Sequence, residues 1–337
     1  MPTNAAKRSI MRSSLPPGAR RSQMPRAIRE ARAGSLPRAS RWTEPRRVRH
    51  PRHSASPDSV TRWLVSSLDD RDTRMNSRAQ RRKTFDDVAE LYDRLRPGYP
   101  ERLVDDVVWL SGVPEHGHIV EIGCGTGQAT ILFARRGYRM TCLEPGPNLA
   151  AIARRNLAGF ADVRVEVCTF EDWRHVESDL DLVIAAQSFH LVDPATGLSK
   201  AAGLLRAGGA IAIFGNHPVR DDSDVQRCVQ EAYARCAPEL GQGEDEAPLE
   251  DRIDDTALFE TVVMARYPWH TVYTADDYAG LMETQSPHRL LPADQRRSLL
   301  QAIREAVASH GGSITIDYVT RLHLARRRAA VPRERPA

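Results

Sequence analysis

The sequence predicts an α/β fold: a Rossmann-like, largely parallel sheet with helices on both faces. Three observations carry that expectation. Short apolar runs alternate with helical patterns from His118 to Phe214, as a parallel sheet with crossover helices requires. The first run, His118-Ile-Val-Glu121-Ile122, feeds directly into Gly123-Cys-Gly125-Thr-Gly127-Gln128. Glycine recurs where backbone turns sharply and approaches a ligand closely, and the helix that follows offers unpaired N–H groups. A second carboxylate, Glu144, ends the next apolar run about twenty residues beyond the glycines, the spacing at which an acid reaches ribose hydroxyls.

The elements follow in order. Thr84-Phe-Asp-Asp87 reads as a capping-box-like helix start. Phe85, Val88, Leu91, Tyr92 and Leu95 then recur at helical spacing, until Pro97-Gly98 stops the helix. Pro100 opens a second helix with Leu103, Val104, Val107 and Val108 on one face. Strand 1 is His118–Ile122, and its helix closes at Gly137. Strand 2 is Arg139–Leu143, followed by a helix over Leu149–Leu157. Strand 3 is Val163–Cys168 and strand 4 Leu182–Ala186. A helix around Ala195–Leu205 leads through Ala207-Gly208-Gly209 into strand 5, Ala210–Phe214. Two longer, partly alternating runs, Thr261–Thr274 and Ser313–Ala325, flank a helical insert from Ala275 to about His310.

Charge divides the chain. Residues 1–74 carry seventeen Lys/Arg and six Asp/Glu, which leaves 31 against 38 for the remainder, about −7, although the whole is +4. A basic arm is thus joined to a mildly acidic body, and the body has no general electrostatic case for binding nucleic acid. Residues 1 to about 80, rich in Arg, Pro and Ser, are expected to be disordered. Three readings of the arm stand: a nucleic-acid tail, a transit-like segment, or sequence upstream of a native start near Met75. Lysine occurs only at positions 7, 83 and 200, an Arg bias typical of GC-rich coding. The domain boundaries expected are an arm over 1–80, a folded domain over 84–328 containing the 275–310 insert, and a disordered tail over 329–337. Cys124, Cys142, Cys168, Cys228 and Cys236 show no paired metal-ligand spacing, which favours a reducing, cytoplasmic setting and no metal. No apolar run approaches a membrane span.

The glycine loop departs from the dinucleotide fingerprint G-x-G-x-x-G, because its third glycine comes one residue early. The loop, its preceding carboxylate and Glu144 together resemble motif I and the acidic strand-2 end of class I S-adenosylmethionine-dependent methyltransferases. A nicotinamide dehydrogenase, or glycines that merely pack a strand against a helix, are the competing readings. The stretch Phe85-Asp86-Asp-Val-Ala89-Glu-Leu-Tyr92-Asp93-Arg-Leu-Arg96-Pro97-Gly98-Tyr99-Pro100 is similar to the F-D-x-x-A-x-x-Y-D-x-x-R-P-G-Y-P opening of a bacterial branch of these enzymes. Ala186-Gln187-Ser188-Phe189-His190-Leu191-Val192-Asp193 looks like its A-Q-x-F-H-W-V-D segment, with Leu191 in the tryptophan position. Tyr273-Thr274-Ala-Asp-Asp-Tyr278 and His310-Gly311-Gly312 match it in the tail.

The resemblance implies a seven-stranded methyltransferase sheet with a reversed final hairpin, and S-adenosylmethionine as cofactor. It implies that Gly123, Gly125 and Gly127 line the amino-acid end of that cofactor. Glu121 would help hold its ammonium, directly or through water, and Glu144 would accept from its ribose hydroxyls. After strand 3, Glu171, with Asp172 second, would take the adenine amino group while Phe170 packs the ring. Gln187 is a cofactor contact and His190 a candidate general base. Tyr92 and Arg96 would close the site, Arg96 on the methionine carboxylate.

The strand-4 loop lacks the Asn/Asp-Pro-Pro-Tyr/Phe segment of amino-methylating DNA enzymes, and no Pro-Cys pair is present for attack on cytosine. A small or medium-sized acceptor is therefore expected, under a lid of the Tyr92 helix and an insert bearing Tyr278, Leu281, Met282 and His288. The segment Asn216–Leu258, with its acidic run Glu244-Asp-Glu246, is the other region expected to set acceptor choice. Two further functions compete: a protein that binds the cofactor without turnover, and a nucleic-acid-associated protein using the arm.

Overall fold

The structure is a computed structural model, which describes residues 78–174, 179–219, 221–241 and 249–329. Residues 1–77, with Met75, the acidic run at 244–246 and the tail from 330 onward lie outside the described residues, whereas residues 78–80, expected in the disordered arm, are helical.

Helical backbone already runs over 78–86. After a turn it continues as α1 (Ala89–Leu95), then α2 (Glu101–Ser111). The alternating core is β1 (His118–Ile122), α3 (Thr130–Ala134), β2 (Arg139–Leu143), α4 (Pro147–Asn156), β3 (Val163–Glu166) and β4 (Leu180–Ala186). It continues with α5 (Pro194–Leu204) and β5 (Leu205–Pro218), then α6 (Asp224–Cys236) and α7 (Leu249–Asp254). The chain ends in β6 (Val263–Thr274), the insert helices α8 (Ala275–Glu283), α9 (Ser286–Arg289) and α10 (Ala293–Ala308), and β7 (Ser313–Arg326).

The seven strands lie in the order β3-β2-β1-β4-β5-β7-β6. The first five are parallel, whereas β7 runs antiparallel to both β5 and β6. The reversed final hairpin expected from the tail is present. Every residue of β1 is buried, as a central parallel strand covered on both faces requires. Alternate side chains feed two cores. Ile119, Met140, Leu182 and Phe214 pack under α2 and α3, while Val120, Leu143, Val183 and Ile213 pack under α5. A third cluster joins α6, α8 and α10 to the ends of β6 and β7 through Tyr273, Tyr278, Leu299, Ile303, Ile316 and Tyr318.

Three expectations need correction. Thr84 caps nothing: it sits inside the 78–86 helix, and its hydroxyl donates to the Arg81 carbonyl at 2.7 Å. The local Thr-x-x-Asp pattern lost to a helix that starts upstream. Strand 5 is far longer than Ala210–Phe214, because β7 supplies a ladder on its other edge as far as Pro218↔Tyr318. Gly208 (φ +74°) lies in the irregular start of that strand, where the register against β4 shifts. Strand 3 ends two residues early, at Glu166, so Cys168 and Phe170 turn off the sheet edge.

Candidate active site

The carboxyl ends of β1, β2 and β4 and the loops after them surround a cavity of about 280 Å³, at the position where open α/β sheets bind ligands. Its floor includes Gly123, Gly125 and Glu144, one wall is Cys168–Glu171, and another is Ala186–Val192. Arg81, Arg82, Phe85, Tyr92 and Arg96 cover it from the N-terminal side, and Gln285, Ser286 and Pro287 from the insert.

Gly123 and Gly125 have φ of +64° and +58°, a left-handed conformation that side chains resist. Space is tight for side chains as well. A Cβ at Gly123 would lie 2.8 Å from Cβ of Ser188, and one at Gly125 would lie 3.3 Å from the Tyr92 ring. Gly127 differs from expectation: it faces Leu157 rather than the cavity, so it packs the loop against the end of α4.

Glu144 is the latch between the two loops. Its Oε2 accepts from Gly125 N–H and its Oε1 from Gly146 N–H, each at 2.9 Å. Burial pushes its carboxyl up to about 7, against the pull of those two N–H groups. Glu121 sits behind Gly123, in a recess of about 20 Å³ lined also by Tyr92, Arg96 and Gln187. Thr130 donates to it at 2.6 Å. Burial pushes Glu121 up to about 8, Thr130 opposes that, and the nearby Glu144 adds to it.

In the Cys168–Glu171 wall, Phe170 is buried and Glu171 pairs with Arg82 at 2.8 Å through Oε1. Its Oε2 is buried without a hydrogen-bond partner. Asp172 points elsewhere: it is exposed and closes a turn with the Thr169 hydroxyl at 2.8 Å.

Gln187 takes φ +58°, a conformation of the kind that clusters at functional sites. Its amide bridges to β5, donating to the Asn216 carbonyl at 3.1 Å and accepting from Asn216 N–H at 3.4 Å. Its backbone N–H donates to the Phe214 carbonyl at 2.8 Å. Gln187 therefore lines the cavity while its amide holds the loop in place. Ser188 donates to the Ile122 carbonyl. His190 is exposed in a short 3₁₀ turn, Phe189–Leu191.

Arg96 stacks its guanidinium 4.9 Å from the Tyr92 ring centre. It donates through Nε to the Thr284 hydroxyl at 2.9 Å and through Nη2 to the Thr284 carbonyl at 2.8 Å, tying α1 to the insert. Tyr278 and Met282, expected in the lid, instead belong to the core between α8 and β6/β7. His288 is also buried, bonded to the Tyr233 hydroxyl at 2.7 Å, and burial lowers it to about 4. The α8 pattern identifies an apolar face, but it does not say whether that face meets a cavity or a sheet.

Two positions had not been singled out. Asp86, in the Phe-Asp opening, caps α4 from a distance, accepting from Asn148 and Leu149 N–H at 2.8 and 3.0 Å. Lys200 on α5 donates to the carbonyls of Phe170, Glu171 and Trp173 at 2.5, 3.1 and 2.6 Å. The sequence holds a hint of it, since Lys200 is one of three lysines in an arginine-biased chain. Lys200→Met should therefore loosen the Phe170–Trp173 turn. We expect S-adenosylhomocysteine affinity to fall about threefold to tenfold by calorimetry, the net scale of one ordinary hydrogen bond, since Lys200 acts through the turn. An unchanged affinity would remove Lys200 from the site.

A family model described as a methyltransferase domain matches residues 119–209, the span from β1 to the start of β5. The chain is 27% identical over 251 residues to an uncharacterised methyltransferase of Mycobacterium tuberculosis, covering 72% of this chain and 96% of the relative. The family-model match and these relatives indicate a class I S-adenosylmethionine-dependent methyltransferase. A demethylmenaquinone methyltransferase of Tropheryma whipplei is also 27% identical, over 150 residues, covering 42% of this chain and 62% of the relative. The solved structure of a proposed type II methyltransferase from Anaeromyxobacter dehalogenans shares the fold at TM-score 0.50 and 22% identity, covering 70% of this chain and 99% of that one.

The methyltransferase takes S-adenosylmethionine as its cofactor, and the residues present fit that group. The glycines leave no side chain at the floor, and Glu171 Oε2 is a buried acceptor still lacking a donor. The nicotinamide dehydrogenase reading is set aside. Among the described residues, no helix is long and apolar enough to cross a membrane, and no group of three or more His, Cys, Asp or Glu could hold a metal ion.

Proposed function

We propose that this methyltransferase acts on a small-molecule acceptor, whose reacting atom enters the cavity between the β4 loop and a lid made of residues 81–96 and 285–287. The observation that supports this is the cavity itself, because the lid and the insert flank a space of about 280 Å³ beside the glycine loop. The cofactor supplies an electrophilic methyl on a sulfonium, which becomes a neutral thioether when the methyl leaves. The protein's part is alignment and exclusion of water. Glu144 keeps a free lone pair on each oxygen for the ribose hydroxyls, while Gly125 and Gly146 hold it still. Glu171 Oε2 accepts from the adenine amino group, and Phe170 packs the ring. Glu121 steadies the ammonium through the recess behind Gly123. Arg96 offers the carboxylate its remaining Nη, which makes no hydrogen bond among the described residues. For an oxygen or nitrogen acceptor, His190 takes the departing proton on a ring nitrogen. The five cysteines are free thiols, in keeping with a cytoplasmic setting.

The test is incubation with methyl-labelled cofactor and a metabolite extract, followed by mass spectrometry of labelled small molecules. Label found only in protein or nucleic acid would overturn the reading. The lid makes a narrower prediction. Gln285→Ala with Pro287→Ala should raise the acceptor KM at least threefold and leave S-adenosylhomocysteine affinity within about threefold, roughly 0.7 kcal/mol. The reverse pattern would place the insert over the cofactor rather than the acceptor.

A further inference from the structure

A second cavity, of about 540 Å³, lies on the sheet face beside α7. It shares Gln187, Ser188 and His190 with the first, so the β4 loop is the wall between them. Its floor is built by strand register. Gly215 on β5 pairs with Arg321 on β7, which pairs with Arg266 on β6. One step along the same face come Ile213, His323 and Met264. Arg252 from α7 adds a third arginine, His217 from β5 adds an imidazole whose pKa burial lowers, and Glu250 is the acid facing them.

Arg266 and Arg321 stand directly opposite each other on neighbouring antiparallel strands. Like charges in that relation repel and destabilise a sheet unless something neutralises them. Glu250 makes no ion pair with either arginine: its carboxylate bonds the His323 ring at 3.1 Å instead. Among the described residues neither guanidinium has a hydrogen-bond or ion-pair partner, and both residues are exposed. Arginine is the side chain whose planar fork matches carboxylate and phosphate oxygens. A second copy of this chain does not fit as the occupant, since two-fold docking of this face would set arginines against arginines. Exposed Met264 and buried Ile213 add an apolar stretch beside the arginines, as suits an organic molecule with one anionic end.

We infer that the methyl acceptor is an oxyanion, a carboxylate or phosphate compound, whose charged group is held by Arg266 and Arg321 while its reacting atom reaches past His190 toward the cofactor cavity. The inference rests on the small-molecule methyltransferase reading above.

The test uses the full chain saturated with S-adenosylhomocysteine, titrated in low-chloride buffer with inorganic phosphate and, separately, with citrate. Binding of either anion should weaken at least about tenfold in the double variant R266Q/R321Q, the scale of charge-assisted hydrogen bonds. S-adenosylhomocysteine affinity should stay within about twofold. Tighter phosphate binding assigns a phosphate acceptor, and tighter citrate binding a carboxylate. No binding of either anion, or equal binding by the variant, overturns the inference. In the labelled-extract assay, products should be anionic at neutral pH and reduced in the variant. Neutral products formed equally by both proteins would overturn the inference and leave methyl transfer standing. Failure of the unaltered protein to bind S-adenosylhomocysteine would overturn the underlying reading itself.

Discussion

Glu144→Ala should weaken S-adenosylhomocysteine binding by about 1.5–3 kcal/mol, roughly tenfold to more than a hundredfold, on the scale of hydrogen bonds to a charged group. Two losses add. The ribose hydroxyls lose their acceptor, and the two loops lose their latch. Gly125 and Gly146 N–H both donate to this carboxylate and both residues are buried, so the substitution leaves two orphaned donors. Each such donor costs about 1–3 kcal/mol when water cannot reach it, so the ligand-free protein should also melt earlier. Calorimetry and thermal unfolding separate the two effects. Glu144→Gln keeps one acceptor oxygen but turns an amide N–H₂ toward a backbone donor, and should fall between. Unchanged affinity in the alanine variant would remove Glu144 from the cofactor site.

That latch shows how far the sequence could be read. The apolar runs of β1 and β2 are short, continuous and bounded by turn residues, so their limits were legible to the residue. Glu121, Glu144 and the glycines could be placed at strand ends for the same reason. What escaped is long-range. Asn216-His217-Pro218 reads as loop, yet it is strand because β7 pairs with it. Thr84 carries a capping pattern that an upstream turn of helix overrides. Tyr278 and Met282 have the right periodicity for an apolar face, but the face they make meets Tyr273 and Tyr318 rather than the cleft. Arg82 and Lys200 hold the Phe170–Glu171 turn across 89 and about 30 positions of chain, and no local pattern announces such a contact. The opposed arginines of β6 and β7 likewise become neighbours only once the register is known.

Glu121 yields the second large effect, a pH dependence of opposite sign for cofactor affinity and for stability. Burial holds its carboxyl at about 8 in the ligand-free protein. An ammonium beside it favours the carboxylate, so binding must expel that proton. Affinity should therefore rise with pH between 6 and 8, by about 50-fold from this group alone if it is fully ionised when bound. Above pH 8 at most about a further twofold remains, because the group is already half ionised there and the ligand's own ammonium begins to lose its proton. Stability of the ligand-free protein runs the other way. The folded state holds the proton more tightly than the unfolded chain, whose carboxyl titrates near the ordinary 4.5. Protons bound in the folded state therefore exceed those in the unfolded state across this range, and stability falls as pH rises from about 4.5 to 8. Glu144, raised to about 7, contributes with the same sign. Glu121→Gln, which preserves an acceptor for Thr130, should remove most of the affinity rise between pH 7 and 8 and leave the dependence, mainly below 7, that belongs to Glu144. It should also flatten the fall in melting temperature between pH 6 and 8.5. A variant with the full slope of the unaltered protein would show that the proton released on binding sits on another group, and would take Glu121 out of contact with the ammonium.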